Sequence, residues 1–211
     1  MAKLYYRYGV MGAGKSTQLL QIAYDYEKNN HRGLLCLKPC NDTKADDHVI
    51  SRLEDGTIKR KCDFLIEPKQ GWLFKKLEDT LQSREAAGDP VAVVLIDEAQ
   101  FLSKDNVWDL ARAVTYLKIP IICFGLKVDA FGQPFEGSSN LFALAQDIEE
   151  VTTRAICRLS HKPKKATMPM RYVNGTPVFS GEQVAIENDL DIKYKPVCLQ
   201  EYIKLKDKVE G

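Results

Sequence analysis

The 211-residue sequence predicts an α/β fold: a parallel sheet flanked by helices, with a small β-rich lobe towards the C-terminus. Three observations carry this. Continuous apolar runs at 34–37, 91–96 and 119–124 read as strands buried on both faces, as parallel strands are. Helical stretches of about 15 residues alternate with them, which is the βαβ pattern. Beyond residue 150 the pattern changes to alternating, β-branched segments, with Asn174-Gly175 and Ser180-Gly181 as turn signals.

Element by element, residues 4–8 form a tyrosine-rich first strand. A helix follows from about Lys15 to Asn29, with Leu19, Ile22, Ala23 and Tyr26 on one apolar face. Asn29-Asn30 and Gly33 end it, and the run 34–37 makes the next strand. Residues 39–60 are polar, with Pro39, Asn41-Asp42 and Asp46-Asp47; they read as a long surface loop, with a hairpin around Asp55-Gly56. Residues 71–87 are helical until Gly88-Asp89-Pro90 breaks the chain. After the strand at 91–96, Ser103 or Asp105 caps a helix reaching about Leu117. The strand at 119–124 carries Pro120 near its start, where it costs least. Residues 201–209 are charged, a short terminal helix or tail. The expected division is a nucleotide-binding α/β domain at 1–150, a small lobe at 151–203 and a tail at 204–211.

Composition narrows the function classes. Apolar residues are 45% and charged residues 28%, ordinary for a globular chain and unlike a disordered one. Thirty basic against 29 acidic residues leave a net charge of +1, which argues against nucleic acid or an anionic membrane as the main partner. No apolar run approaches the roughly 18 residues of a spanning helix, and the N-terminus lacks a signal-peptide pattern, so a cytoplasmic location is expected. Six cysteines are scattered with no C-x-x-C pair, as expected of buried thiols in a reducing compartment.

The strongest motif is Gly9-Val10-Met11-Gly12-Ala13-Gly14-Lys15-Ser16, which fits G-x-x-x-x-G-K-[ST] between a strand and an amphipathic helix. Its glycines let successive N–H groups turn inward and cradle phosphate oxygens, and the helix N-terminus adds its dipole. Lys15 supplies charge for the β- and γ-phosphates of ATP. Ser16 offers a hydroxyl to Mg²⁺, and Thr17 a contact to the α-phosphate. The strand at 91–96 runs into Asp97-Glu98-Ala99-Gln100-Phe101, which puts a Mg²⁺-holding carboxylate, Asp97, at the sheet's C-terminal edge. Together these define a P-loop, RecA-like arrangement. Glu98, one residue on, is placed to take a proton from a hydroxyl. That proton belongs to water in an ATP-driven motor and to a substrate alcohol in a small-molecule kinase, and spacing does not choose. A motor coupled to nucleic acid is the alternative; it usually needs two core domains and a basic track, and neither is evident here. A nucleotide-dependent switch is another, but it leaves Glu98 without a task. The loop after 119–124 carries Leu126, Phe131 and Phe135, apolar walls for a flat ring.

With these residues in view, the sequence resembles the type II thymidine kinases. The matching pieces are 11–17, 97–102, Gly125-Leu126 with Asp129 and Phe135, and Gly181-Glu182-Gln183-Val184-Ala185-Ile186 followed by Tyr194 and Val197-Cys198. They span nearly the whole chain. The resemblance implies transfer of the ATP γ-phosphate to the 5′-hydroxyl of thymidine or deoxyuridine, with Mg²⁺. It makes Glu98 the catalytic base, puts Asp97 and Gln100 with the P-loop on the ATP side, and sets Phe101, Leu126, Phe135 and Tyr194 around the nucleoside. Val184, Ala185 and Ile186 fall in the family's lasso segment, which reads the thymine edge through backbone groups. Asp42 and Lys44 sit where the family has an Asp and an Arg near the phosphates. A homotetramer and feedback inhibition by dTTP are further implications. The family commonly holds a structural Zn²⁺ in the small, zinc-ribbon-like lobe by two pairs of Cys or His. Cys157 and Cys198 match one member of each pair, but the second positions read Ser160, with His161 next, and Glu201. Serine is a poor zinc ligand, so the sequence departs from the family pattern there.

Overall fold

A computed structural model describes residues 1–29, 31–42, 47–53, 56–151, 155–160, 163–183 and 191–211. In chain order the elements are β1 (Leu4–Tyr8), α1 (Lys15–Tyr24), β2 (Gly33–Pro39), β3 (His48–Leu53), β4 (Gly56–Lys61), β5 (Phe64–Ile66), α2 (Trp72–Ala86), β6 (Val91–Ile96), α3 (Lys104–Arg112), β7 (Ile121–Gly125), α4 (Glu136–Leu144), β8 (Asp147–Glu150), β9 (Met168–Val173), β10 (Thr176–Val178), β11 (Ile192–Val197) and α5 (Leu199–Glu210). Wide π-helical turns at Asp25–Asn29 and Ala113–Leu117 extend α1 and α3, and a 3-10 turn at Ala99–Phe101 follows β6. The chain divides into two compact units.

The first unit comprises Met1–Tyr8, Lys15–Gly125 and Glu136–Glu150. Its six-stranded sheet has the order β5-β2-β6-β7-β1-β8, and every pairing is parallel. The predicted fold class is the observed one. Strand alternation explains the layers. Leu34 and Cys36 of β2 face Leu19, Leu20 and Ala23 of α1. Leu35 and Leu37 face the other way, into a core with Leu73 and Leu77 of α2, Val107 and Leu110 of α3, and Leu141 of α4. Two buried faces require unbroken apolar runs, and each buried leucine contributes at most about 1.5–3 kcal/mol. Ser103 is the cap of α3. Its hydroxyl accepts from the Asn106 N–H at 3.2 Å while Asn106 Oδ1 accepts from the Ser103 N–H at 3.2 Å, a reciprocal capping box.

Three features differ from the sequence expectation. β3 and β4 pair antiparallel with Leu53 opposite Gly56, in keeping with the hairpin expected around Asp55-Gly56, but the pairing reaches His48 and Lys61 where the rest of the stretch was expected to be loop. Val49 and Cys62 anchor the ribbon in the α1-side core, so its apolar positions have a partner that local polarity does not reveal. The turn at Asp55 lies outside the described residues. The short strands β5 and β8 were not anticipated, because three or four residues carry too little periodicity to read. Nor was α4, whose Glu136-Gly137-Ser138-Ser139-Asn140 start is rich in residues that favour turns.

The second unit comprises Gly9–Gly14, Leu126–Phe135 and Val151–Gly211. Its antiparallel sheet has the order β10-β9-β11. Asn174 and Gly175 join β9 to β10 with φ of 49° and 79°, the paired positive values of a type I′ hairpin turn. Cys157, Met170, Tyr172, Phe179, Val197, Cys198 and Tyr202 form its core. The charged residues near the C-terminus lie in α5, whose Tyr202 hydroxyl donates to the Ala130 carbonyl at 3.0 Å and so ties the helix to the 126–135 loop. Val10 and Ala13 pack with Val151, Ala155 and Ala166. Among the described residues no helix is long and apolar enough to cross a membrane.

Candidate active site

In the first unit the end of β6 and the start of α1 meet. Ser16 Oγ donates to Asp97 Oδ2 at 2.9 Å. The other carboxylate oxygen, Oδ1, is buried and makes no hydrogen bond among the described residues. Burial first, and the neighbouring Glu98 charge second, push the Asp97 carboxyl up to about 7, against the opposing pull of the Ser16 hydroxyl, the Glu98 backbone and Lys15. A carboxylate so raised is short of positive charge. One bare oxygen beside a serine hydroxyl is an all-oxygen donor set suited to Mg²⁺. The residues therefore fit the metal, which Ser16 and Asp97 would hold.

This has a stability consequence. The folded protein keeps a proton on Asp97 that the unfolded chain, at 3.8, releases. Stability of the metal-free protein therefore falls as pH rises from about 4 to about 7, and the penalty is complete above that window. Asp97→Asn is expected to remove this part of the pH dependence and to raise Tm at pH 8 by several degrees while abolishing turnover. Thermal melts in chelator at pH 5 and pH 8, wild type against variant, measure it; identical pH trends would show that Asp97 carries no such penalty.

Glu98 follows in left-handed backbone geometry, φ 50° and ψ 37°, which a non-glycine residue adopts only when its surroundings hold it there. Gln100 Nε2 donates to Glu98 Oε2 at 2.5 Å, which holds the carboxylate's rotamer. The role of Gln100 as the holder of Glu98 is not legible in the sequence, since both lie in one short polar turn. Gln100 itself is 2% exposed. Phe101 closes the turn, its N–H donating to the Glu98 carbonyl at 3.1 Å. The turn is braced from outside by α4: a Cβ on Gly137 would stand 2.5 Å from the Ala99 carbonyl oxygen and 2.8 Å from those of Gln100 and Leu102. All three are backbone atoms, so Gly137→Ala must displace the turn. It is expected to cost about 1–3 kcal/mol of stability and to lower kcat through Glu98, read by denaturant melts and steady-state rates. An unchanged melt and rate would show that the turn yields freely.

Other expected site residues fall as follows. Lys15 is buried and contributes its charge at Asp97. Thr17 Oγ1 shares a 2.7 Å hydrogen bond with Ser51 Oγ of β3, a partner 34 residues away that no local pattern reveals. Asp42 forms a buried ion pair with Lys38 Nζ at 2.8 Å. Gly9, Val10, Met11, Gly12, Ala13 and Gly14 form the P-loop turn of the second unit; Gly12 and Gly14 have φ of 76° and 90°, and the Ala13 N–H donates to the Val10 carbonyl at 3.2 Å. In the same unit Leu126 and Phe135 bound a loop closed on itself by Asp129. Its Oδ1 accepts from the Phe131 and Gln133 N–H groups at 2.9 and 2.8 Å. Tyr194 lies on β11, and Phe131 packs beneath Arg171. Lys44, His161, Val184, Ala185 and Ile186 lie outside the described residues.

The described residues do not make the zinc site that the resemblance implies. No group of three or more His, Cys, Asp or Glu side chains is gathered among them. Glu201 is engaged by Lys204 at 3.0 Å, and Ser160 offers no thiolate. Cys157 and Cys198 instead contact each other as free thiols. Burial pushes the Cys157 thiol up, but N–H groups of Cys198, Leu159 and Ser160 and the Cys198 side chain outweigh it and hold the group below its ordinary value.

The family model described as thymidine kinase matches residues 2–202. The chain belongs to the thymidine kinase family. Relatives named thymidine kinase include those of Lactobacillus johnsonii, 39% identical over 203 residues, and Streptococcus gordonii, 38% identical over 205, covering 96% and 97% of both chains. One from Streptococcus agalactiae is 38% identical over 207 residues, 96% of this chain and 97% of its own. Membership of the thymidine kinase family makes this chain an ATP-dependent phosphotransferase and leaves the nucleic-acid motor without support.

Proposed function

We propose that the protein transfers the γ-phosphoryl group of ATP to the 5′-hydroxyl of thymidine, giving dTMP and ADP, with Glu98 as the base. The supporting observation is the Glu98 carboxylate, fixed by Gln100, one residue beyond the Asp97–Ser16 pair. A single turn thus carries a metal-binding acid and a separate acid free to accept a proton.

In this reading Gly9–Gly14 cradle the phosphate oxygens through backbone N–H groups, and Lys15 neutralises the β- and γ-phosphates. When bound by Ser16 and Asp97, Mg²⁺ offsets charge on those phosphates. Glu98 accepts the proton of the 5′-hydroxyl as its oxygen attacks phosphorus in line, and the bond to the ADP oxygen breaks. Phe101, Leu126, Phe135 and Tyr194 hold the nucleoside. The lasso backbone at Val184, Ala185 and Ile186 reads the thymine edge. Asp42, which is ion-paired with Lys38, and Lys44 are assigned to the phosphate side by family likeness. A homotetramer, dTTP as feedback inhibitor and a cytoplasmic location extend the same reading by family likeness.

The test is an ATP-consumption assay against a panel of nucleosides, with single-stranded DNA as control. Phosphorylation of thymidine is expected, with deoxyuridine as the nearest competitor. ATP hydrolysis that is stimulated by DNA, with no nucleoside phosphorylated, would overturn the reading.

A further inference from the structure

Arg171 of β9 is 4% exposed and makes no ion pair among the described residues. Buried guanidinium groups ordinarily have a carboxylate partner, because an unpaired charge in a dry environment is costly. Two aromatic faces and a carbonyl stand in for it here. The guanidinium carbon is 4.4 Å from the Phe131 ring centroid and 5.7 Å from that of Tyr194. One Nη donates to the Glu182 carbonyl. The Nε is buried and has no hydrogen-bond partner among the described residues.

The register explains the arrangement. Arg171 stands directly opposite Tyr194 across the β9–β11 pair, so the two side chains share one face of the sheet. Phe131 arrives from the 126–135 loop, and Gly181 lies against both partners: a Cβ there would be 3.8 Å from Arg171 Nη1 and 3.8 Å from Phe131 Cζ. A single cation therefore gathers three separate segments, the 126–135 loop, the chain at 181–182 and β11. A planar guanidinium can stack its faces on rings while its edge donates to a carbonyl, which a lysine ammonium cannot do.

We infer that Arg171 is a positioning residue for the nucleoside. It sets the Tyr194 ring, the Phe131 loop and the Glu182 backbone in their binding geometry before thymidine arrives, without touching the phosphates. The inference rests on the reading that Tyr194 contacts the nucleoside. A pre-set site avoids the ordering cost on binding, so loss of the residue should appear in nucleoside affinity and not in ATP affinity.

The experiment is steady-state kinetics on the full chain with Arg171→Met and Arg171→Lys, varying thymidine at saturating ATP and ATP at saturating thymidine. The expected result is a thymidine KM raised about tenfold or more in the Met variant and about three- to fivefold in the Lys variant, with ATP KM and kcat within about threefold of wild type in both. Arg171→Lys keeps the charge and chain length, so it remains informative should the Met variant fail to fold. A wild-type thymidine KM in either variant overturns the proposal. So does a rise of ATP KM by the same factor as thymidine KM, which would mark a general loss of structure. Absence of thymidine phosphorylation in the wild type would instead defeat the function reading, and it is seen before any variant is made.

Discussion

Glu98→Gln is expected to lower kcat by about 10²–10⁴-fold, the range general-base catalysis contributes, while leaving ATP affinity nearly unchanged. The amide keeps the volume and can still meet Gln100 by an amide flip, so the turn should persist. What it loses is the capacity to take a proton from the attacking hydroxyl. A pH profile sharpens the measurement. The limb of kcat/KM that reports the base in wild type should vanish in the variant. Near-normal turnover, or a fall in ATP affinity as large as the fall in kcat, would remove Glu98 from the base role and leave it as part of the metal and phosphate apparatus.

Lys15→Ala is expected to cost both ATP binding and rate, each by at least about 10²-fold, since charge-assisted contacts to phosphate strengthen as charge develops in transfer. A second effect follows from the structure. Lys15 is among the groups that favour the ionised form of Asp97, so its loss pushes that carboxyl further up and weakens the Mg²⁺ site at neutral pH. Raising Mg²⁺ or pH should therefore recover a small part of the variant's activity, whereas neither recovers Glu98→Gln. Titrating nucleotide binding with and without Mg²⁺ at two pH values separates the two contributions. Equal nucleotide affinity in wild type and variant would show that Lys15 does not meet the phosphates.

The central strands, the helices between them, the P-loop turn and the acid pair at 97–98 were all readable in the sequence, for one reason. Each is written in neighbouring residues: an unbroken apolar run, a repeat of three and four, glycines at fixed spacing before Lys15. The Ser103 cap and the Asn174-Gly175 turn are legible on the same ground, because the interactions that make them are local.

What the chain's residue order determined by itself was the parallel α/β architecture, the glycine-rich turn before Lys15 and the acid pair at the end of β6. Tertiary structure alone decided the rest. It lengthened the expected hairpin into the β3–β4 ribbon, because Val49 and Cys62 found a core, and it placed Ser51 beside Thr17. It left one oxygen of Asp97 without a hydrogen bond among the described residues and set Gly137 against the turn that holds Glu98. It set the Cys157 and Cys198 thiols against each other and placed the Arg171 guanidinium by the Phe131 and Tyr194 rings. These outcomes depend on groups tens of residues apart in the chain, and burial, charge and hydrogen bonding between them arise only when folding brings them within a few ångströms.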